Sequence, residues 1–200
     1  MRKAVKGMRR EMEYLAQLRV LPPRVALFQW RARRLASRTE DEFASVSATR
    51  PRNLAVLLDA ARGRRRVAEL GTGSAWTAIS LVLADPERVV VTYDPIDRPE
   101  RERYLRLVSP EVRRRLSFVG VPGDEGPREP GKVDLLYIDS SHARDDTVRE
   151  VEAWRPALGE GSLVVLDDFG HPAYPGVEEA VRHLGLEGEQ RGGLFLHLVR

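Results

Sequence analysis

Carboxylates recur in this chain just beyond short apolar runs. Glu69 sits in Val67-Ala68-Glu69-Leu70, Asp94 follows Val89-Val90-Val91-Thr92-Tyr93, and Asp139 follows Leu135-Leu136-Tyr137-Ile138. The pair Asp167-Asp168 follows Leu163-Val164-Val165-Leu166, and Asp124 stands in Pro122-Gly123-Asp124. Acids gathered at one end of a sheet repel one another and lose solvation, so a cationic or hydrogen-bonding partner is expected. Asp139, Asp167 and Asp168 end runs that read as neighbouring strands, whose tips lie about 5 Å apart. Three converging carboxylates suit a hard divalent cation such as Mg²⁺, completed by water and a substrate oxygen. Such an ion lowers the pKa of a bound hydroxyl and orients it. His142 lies three residues past Asp139, where a neutral imidazole could take the hydroxyl proton. The plainer alternative makes the acidic pair a helix cap and turn, and His142 a helix-start residue without chemistry.

The second feature is Glu69-Leu70-Gly71-Thr72-Gly73-Ser74-Ala75-Trp76-Thr77, which reads as strand, tight turn and helix start. Gly71 and Gly73 let the backbone bend sharply and approach a ligand closely. The helix start behind them offers free N–H groups and a positive dipole to an anion. A dinucleotide fingerprint wants a small residue three positions after the second glycine. Trp76 stands there, which disfavours a nicotinamide-dependent oxidoreductase. Glu69 before the turn instead suits S-adenosylmethionine, whose amino acid end carries an ammonium as well as a carboxylate. Ser74 and Thr77 are placed to cap the helix or to bind that carboxylate. Asp94 is expected to accept the ribose hydroxyls, with a cap on the next helix or the Asp-Pro turn as the alternative. Asp124 is either an acceptor for an adenine amino group or a turn residue. Trp76 is expected in the core, His171 at a loop bordering the pocket or on the surface, and His183 and His197 in structural roles.

These residues need strands to carry them. The expected strands are Arg66–Leu70, Arg88–Tyr93, Leu116–Val119, Val133–Ile138 and Leu163–Leu166, and near-continuous Val, Leu and Ile suit a parallel sheet buried on both faces. Helices are expected at Ser74–Ala84, Arg98–Val108, Arg144–Ala157 and Val177–Leu184. Glu187–Arg191 and Leu194–Val199 flank Gly192-Gly193, a hairpin signal. Residues 1–62 read as helical: Met1–Leu21 with Met8, Met12, Leu15 and Leu18 at helical spacing, a stop at Pro22-Pro23, then Val25–Ser37 and Arg52–Ala61. The expected fold is therefore α/β, a Rossmann-like doubly wound sheet of seven strands whose final hairpin is antiparallel, with an N-terminal helical extension. Residues 1–50 would form the extension and 51–200 the ligand-binding domain.

The 200 residues suit one sizeable core. The net charge of +3 rests on an arginine excess concentrated in the first helices, better explained by a solvated face than by a nucleic-acid partner. The absence of cysteine excludes disulfides, thiolate metal sites and a thiol nucleophile. No apolar run has the ~20 residues of a membrane span, and no signal-length apolar core follows the basic start. A cytoplasmic location is the expectation. Exposed apolar stripes on the first helices would favour a homodimer.

Across residues 50–200 the chain resembles the class I S-adenosylmethionine-dependent methyltransferases. Glu69-Leu70-Gly71-Thr72-Gly73 is similar to their first motif and Asp94 to their ribose-binding acid. The glycine turn running into Trp76-Thr77 is similar to the catechol O-methyltransferase-like branch. Val133-Asp134-Leu135-Leu136-Tyr137-Ile138-Asp139-Ser140-Ser141-His142, with Trp154, Gly161 and Val164-Val165-Leu166-Asp167-Asp168-Phe169, resembles the bacterial macrocin and sugar O-methyltransferases. The resemblance implies Mg²⁺ at Asp139, Asp167 and Asp168, and a base at His142 where catechol enzymes carry lysine. Ala75 replaces the third glycine of the common turn, and Asp168 stands where catechol enzymes often carry asparagine. The implied activity is methylation of a small-molecule hydroxyl. The rival expectations are a metal-independent methyltransferase, RNA included among its acceptors, and a ligand-binding module without turnover. Asp139 is followed by Ser-Ser, not by the Pro-Pro-aromatic sequence of base-amino methylation.

Overall fold

Short apolar runs punctuated by Pro, Gly and charge give a strand–helix alternation from residue 66 onward. The computed structural model describes residues 12–128 and 131–200. Residues 12–17 are helical and pass into a 3-10 turn, Leu18–Val20. The earlier part of the expected first helix, Met8 included, lies outside the described residues. Helix α1 is Pro23–Arg38, started by a proline at its first turn, where the missing N–H costs nothing. Helix α2, Glu42–Ser47, is capped by Asp41, whose carboxylate accepts the Ala44 N–H at 2.9 Å. Helix α3 is Pro51–Ala60.

Strands β1 (Arg66–Leu70), β2 (Val89–Tyr93), β3 (Leu116–Val119), β4 (Leu135–Ile138) and β5 (Leu163–Leu166) are parallel. They alternate with α4 (Trp76–Ala84), α5 (Arg101–Leu105), α6 (Pro110–Arg113), α7 (Arg144–Trp154) and α8 (Pro175–Leu184). The hairpin β6 (Glu189–Arg191) and β7 (Leu194–Leu198) adds antiparallel, with β7 against β5. Gly192 supplies the expected positive φ, 61°. The seven-stranded sheet runs β3-β2-β1-β4-β5-β7-β6. The chain moves outward from β1 to β3, then returns to place β4 on the other side of β1. That reversal opens a crevice at the carboxyl ends of β1 and β4, where ligands bind in such sheets.

Side chains alternate across the pleat. Val67, Leu135, Tyr137 and Val165 join a core with α1, α3 and α4, while Ala68, Leu136, Ile138 and Val164 join a second core with α7 and α8. Val25, Phe28, Ala32 and Ala44 belong to the first core, so the helices before residue 50 pack directly on the sheet. Buried Arg88 ties two helix ends down by donating to the carbonyls of Ala61 and Leu81. Met12, Leu15, Val20, Leu27 and Trp30 are exposed. Among the described residues no helix is long and apolar enough to cross a membrane.

Three expected helices differ, and the one expected as Arg144–Ala157 is α-helical only to Trp154 and closes as a 3-10 turn over Arg155–Ala157. The stretch expected as Arg98–Val108 is α-helical only over α5, with Pro99 in the turn before it and Pro110 opening α6 soon after. The third difference concerns the glycine turn.

Candidate active site

Gly71 takes φ 94°, and its N–H donates to the Tyr93 carbonyl at 2.8 Å. A Cβ there would lie 2.0 Å from the Asp139 carbonyl oxygen. Only glycine allows the tips of β1 and β4 to close this far. Two residues after Gly73, Ala75 adopts the left-handed φ of 64°, and α4 begins at Trp76. The expected start at Ser74 is therefore two residues early. Ser74 sits in the turn, buried, and caps nothing through its side chain. Thr77 shares a hydrogen bond with Thr49 (Oγ1 to Oγ1, 2.9 Å). Trp76 is buried edge-on against Tyr104, as expected of a core residue.

Glu69 is buried beneath the turn. Thr92 Oγ1 donates to its Oε2 at 2.5 Å, and the hydroxyls of Thr92 and Thr72 are 2.6 Å apart. Burial, reinforced by the Asp139 and Asp94 charges, pushes the Glu69 carboxyl up to about 8. Asp94 Oδ2 accepts the Gly73 N–H at 2.9 Å, and Oδ1 accepts the Ile96 N–H at 2.9 Å. Arg101, which the sequence did not single out, clamps this loop: its Nε donates to the Gly73 carbonyl at 3.1 Å and its Nη2 lies 3.7 Å from Asp94. Asp124, on the 3-10 turn Gly123–Glu125, accepts from Arg149 Nε at 3.1 Å. Glu150 was also unforeseen. It accepts from Ser140 Oγ at 2.7 Å, and burial raises it to about 7.

The β4 and β5 tips bring Asp139, His142 and Asp167 together, with one ligand atom from each inside 4.8 Å of the others. His142 Nε2 is 3.4 Å from Asp139 Oδ1 and 3.5 Å from Asp168 Oδ2. Asp168 takes a left-handed φ of 53°, which brings its carboxylate to the imidazole. Burial works to lower the His142 pKa, but the carboxylates of Asp139, Asp168 and Asp167 outweigh it and raise the net value. Asp167 is buried beside two acids, and its carboxyl is pushed well above the usual range by burial first and by Asp139 and Asp168 next. Asp139 Oδ2 also accepts from Tyr137 Oη at 3.1 Å and from Thr49 Oγ1 at 3.5 Å. Tyr137 was legible only as a strand residue, and Thr49 carried no signal in its helix–helix connection.

One cleft of about 1360 Å³ runs from Asp94 and Asp124 past the glycine turn to Asp139, His142, Asp167 and Asp168, whereas Glu69, Thr92, Arg101 and Tyr137 lie behind its wall. Helix α2 covers the turn, with the Phe43 ring 3.7 Å from where a Gly73 Cβ would stand. On the other side, Tyr174 stacks on His142 with centroids 4.7 Å apart and on His171 at 5.1 Å. The hairpin tip closes the wall where Gly193 N–H donates to Asn53 Oδ1 at 3.2 Å. His183 contacts Arg144 and His197 contacts the Glu187 carbonyl, both outside the cleft.

A doubly wound sheet with an antiparallel closing hairpin, and a glycine turn facing acidic strand tips, defines a class I S-adenosylmethionine-dependent methyltransferase. A profile of the methyltransferase domain matches residues 54–169, more than half of the chain, and the chain belongs to that family. The O-methyltransferase TomG from Streptomyces achromogenes, involved in tomaymycin synthesis and solved with S-adenosylmethionine, is similar in fold. It shows 20% identity and a TM-score of 0.64 over 86% of this chain and 88% of its own. Cofactor-bound Rv0187 from MTB gives 23% identity and a TM-score of 0.63 over 83% and 87%. The Podospora anserina methyltransferase PaMTH1, bound to S-adenosylhomocysteine, gives 14% and 0.64 over 90% and 89%. Comparison with curated proteins gives no match.

Proposed function

We propose that this enzyme methylates a hydroxyl oxygen of a small molecule, with a divalent cation such as Mg²⁺ at Asp139 and Asp167. The observation that carries this reading is the meeting of Asp139, His142 and Asp167 inside 4.8 Å, at the floor of the cleft that also holds the glycine turn. Asp167 Oδ1 is buried without a hydrogen-bond partner, and an unpaired buried polar atom is costly unless a ligand satisfies it. An oxygen-rich donor set fits a hard cation. When bound, such an ion supplies Lewis acidity that makes an acceptor hydroxyl easier to deprotonate.

The cofactor's place follows from the donors available. The Gly71–Gly73 backbone and the start of α4 would face its amino acid end. Asp139 is the cleft acid that would face its ammonium and sulfonium charges, Asp94 the acceptor for its ribose hydroxyls, and Asp124 the acceptor at its adenine end, while Glu69 stays buried beneath the turn. The bound sulfonium supplies an activated methyl group: a carbon–oxygen bond forms as a carbon–sulfur bond breaks, leaving a neutral thioether. His142 Nε2 receives the acceptor's proton, and the carboxylates of Asp139 and Asp168 stabilise the resulting imidazolium. Holding acceptor and donor in line accounts for the remaining advantage, since proximity alone can be worth about 7–11 kcal/mol.

Isothermal titration with S-adenosylmethionine, then release of S-adenosylhomocysteine over a panel of hydroxyl acceptors with Mg²⁺ or with EDTA, tests the proposal. Asp167→Ala should abolish Mg²⁺-dependent turnover. An absence of binding at high micromolar cofactor would remove the whole reading. Turnover that ignores both EDTA and Asp167→Ala would leave a metal-free reaction, for which the carboxylate-flanked His142 is already arranged as a base.

A further inference from the structure

Two arginines follow Asp94 in the loop that leaves β2, and they differ in how their donors are used. Arg101 is committed to the Gly73 carbonyl and Asp94. Arg98 makes no ion pair among the described residues, and its Nε is buried with no hydrogen-bond partner. Its guanidinium carbon lies 3.6 Å from the centroid of the Phe43 ring, and that ring stands against Gly73. Arg98 and Phe43 both line the main cleft and a second cavity of about 440 Å³ that also reaches Ser74. A stacked guanidinium is held in one plane, so its free donors point in fixed directions. A cation so placed, with a buried donor left over, is built to receive an anion.

The proposed cofactor supplies one anionic group. Its ammonium and sulfonium would face Asp139, whereas its carboxylate has met only backbone N–H groups and hydroxyls so far. Arg149, at the adenine end of the cleft, is already engaged by Asp124 and Asp146. Arg50 and Arg52 flank Pro51, on the side closed by Asn53 and the hairpin. Arg98 is the uncommitted guanidinium, stacked on the ring that covers the glycine turn. We propose that Arg98, planted on Phe43, binds the carboxylate of S-adenosylmethionine and so selects ligands that keep the amino acid tail. This rests on the reading of the cleft as the cofactor site.

The test compares two ligands by isothermal titration of the whole chain: S-adenosylhomocysteine, which has the tail, and 5′-methylthioadenosine, which lacks it. Wild type should bind the former more tightly. Losing a charge-assisted hydrogen bond should weaken S-adenosylhomocysteine binding by about 10- to 100-fold in Arg98→Ala, leave methylthioadenosine affinity unchanged, and be partly repaired in Arg98→Lys. Equal weakening of both ligands would make Arg98 a structural residue and overturn the assignment, and so would wild-type affinity in Arg98→Ala. Failure of the wild type to bind S-adenosylhomocysteine would instead overturn the cofactor reading beneath it. That outcome is visible before any variant is made.

Discussion

Replacing Glu69 with glutamine should make the protein more stable, and increasingly so as the pH rises. The side chain is 1% exposed, and burial pushes its carboxyl up to about 8 from the 4.5 of an unperturbed glutamate. Between those values the unfolded chain has released a proton that the folded chain keeps. Each pH unit crossed then costs the folded state about 1.4 kcal/mol. The contribution of Glu69 is complete below pH 4.5 and is lost as pH rises through 8. Glutamine imitates the protonated acid, can keep the contact with Thr92, and does not titrate. Glu69→Gln should therefore match wild type near pH 4, exceed it by about 3 kcal/mol at pH 7, and by about 5 kcal/mol at pH 9. Urea unfolding of both proteins across this range, with equal m-values, gives the difference directly. A difference that stays flat with pH, or that favours wild type above pH 7, would refute the claim that burial keeps this carboxyl neutral.

Asp139→Asn should lower the His142 pKa, because the Asp139 carboxylate is the leading influence raising it; an NMR titration of the imidazole in the metal-free protein would read the shift, and an unchanged or higher value would contradict it. Gly71→Ala should destabilise the fold by about 3 kcal/mol or more, combining left-handed strain with a clash against backbone. Chemical denaturation measures that loss, and a near-neutral result would mean that the β1 and β4 tips can separate cheaply.

Much of the frame could be read from residue order because parallel strands deliver their last residues to one edge. Asp94, Asp139 and Asp167 needed only the right strand boundaries to be placed together. Side chains that arrive from elsewhere were invisible. Thr49 touches Asp139 across 90 positions of sequence, and nothing in a loop between two helices announces that. Helix α2 spans fewer than two turns, too short for apolar periodicity, so Phe43 and the roof over the glycine turn escaped notice. Backbone conformation was equally hidden. Ala75, His142 and Asp168 all take left-handed φ values, which Asp and His adopt more readily than Ala but which no residue type announces, and they decide where α4 begins and how the imidazole meets its carboxylates.

The hairpin has a consequence for how the chain matures. Phe169 N–H, next to the acidic pair, donates to the Gly193 carbonyl at 2.9 Å, and Asn53 holds the same glycine from more than a hundred residues upstream. A nascent chain that has emerged only through α8 contains all five parallel strands, yet β5 lacks its β7 neighbour and the Phe169 N–H lacks its acceptor. Competence for chemistry should thus lag behind the appearance of secondary structure during synthesis, with the β6–β7 ribbon acting as the final latch.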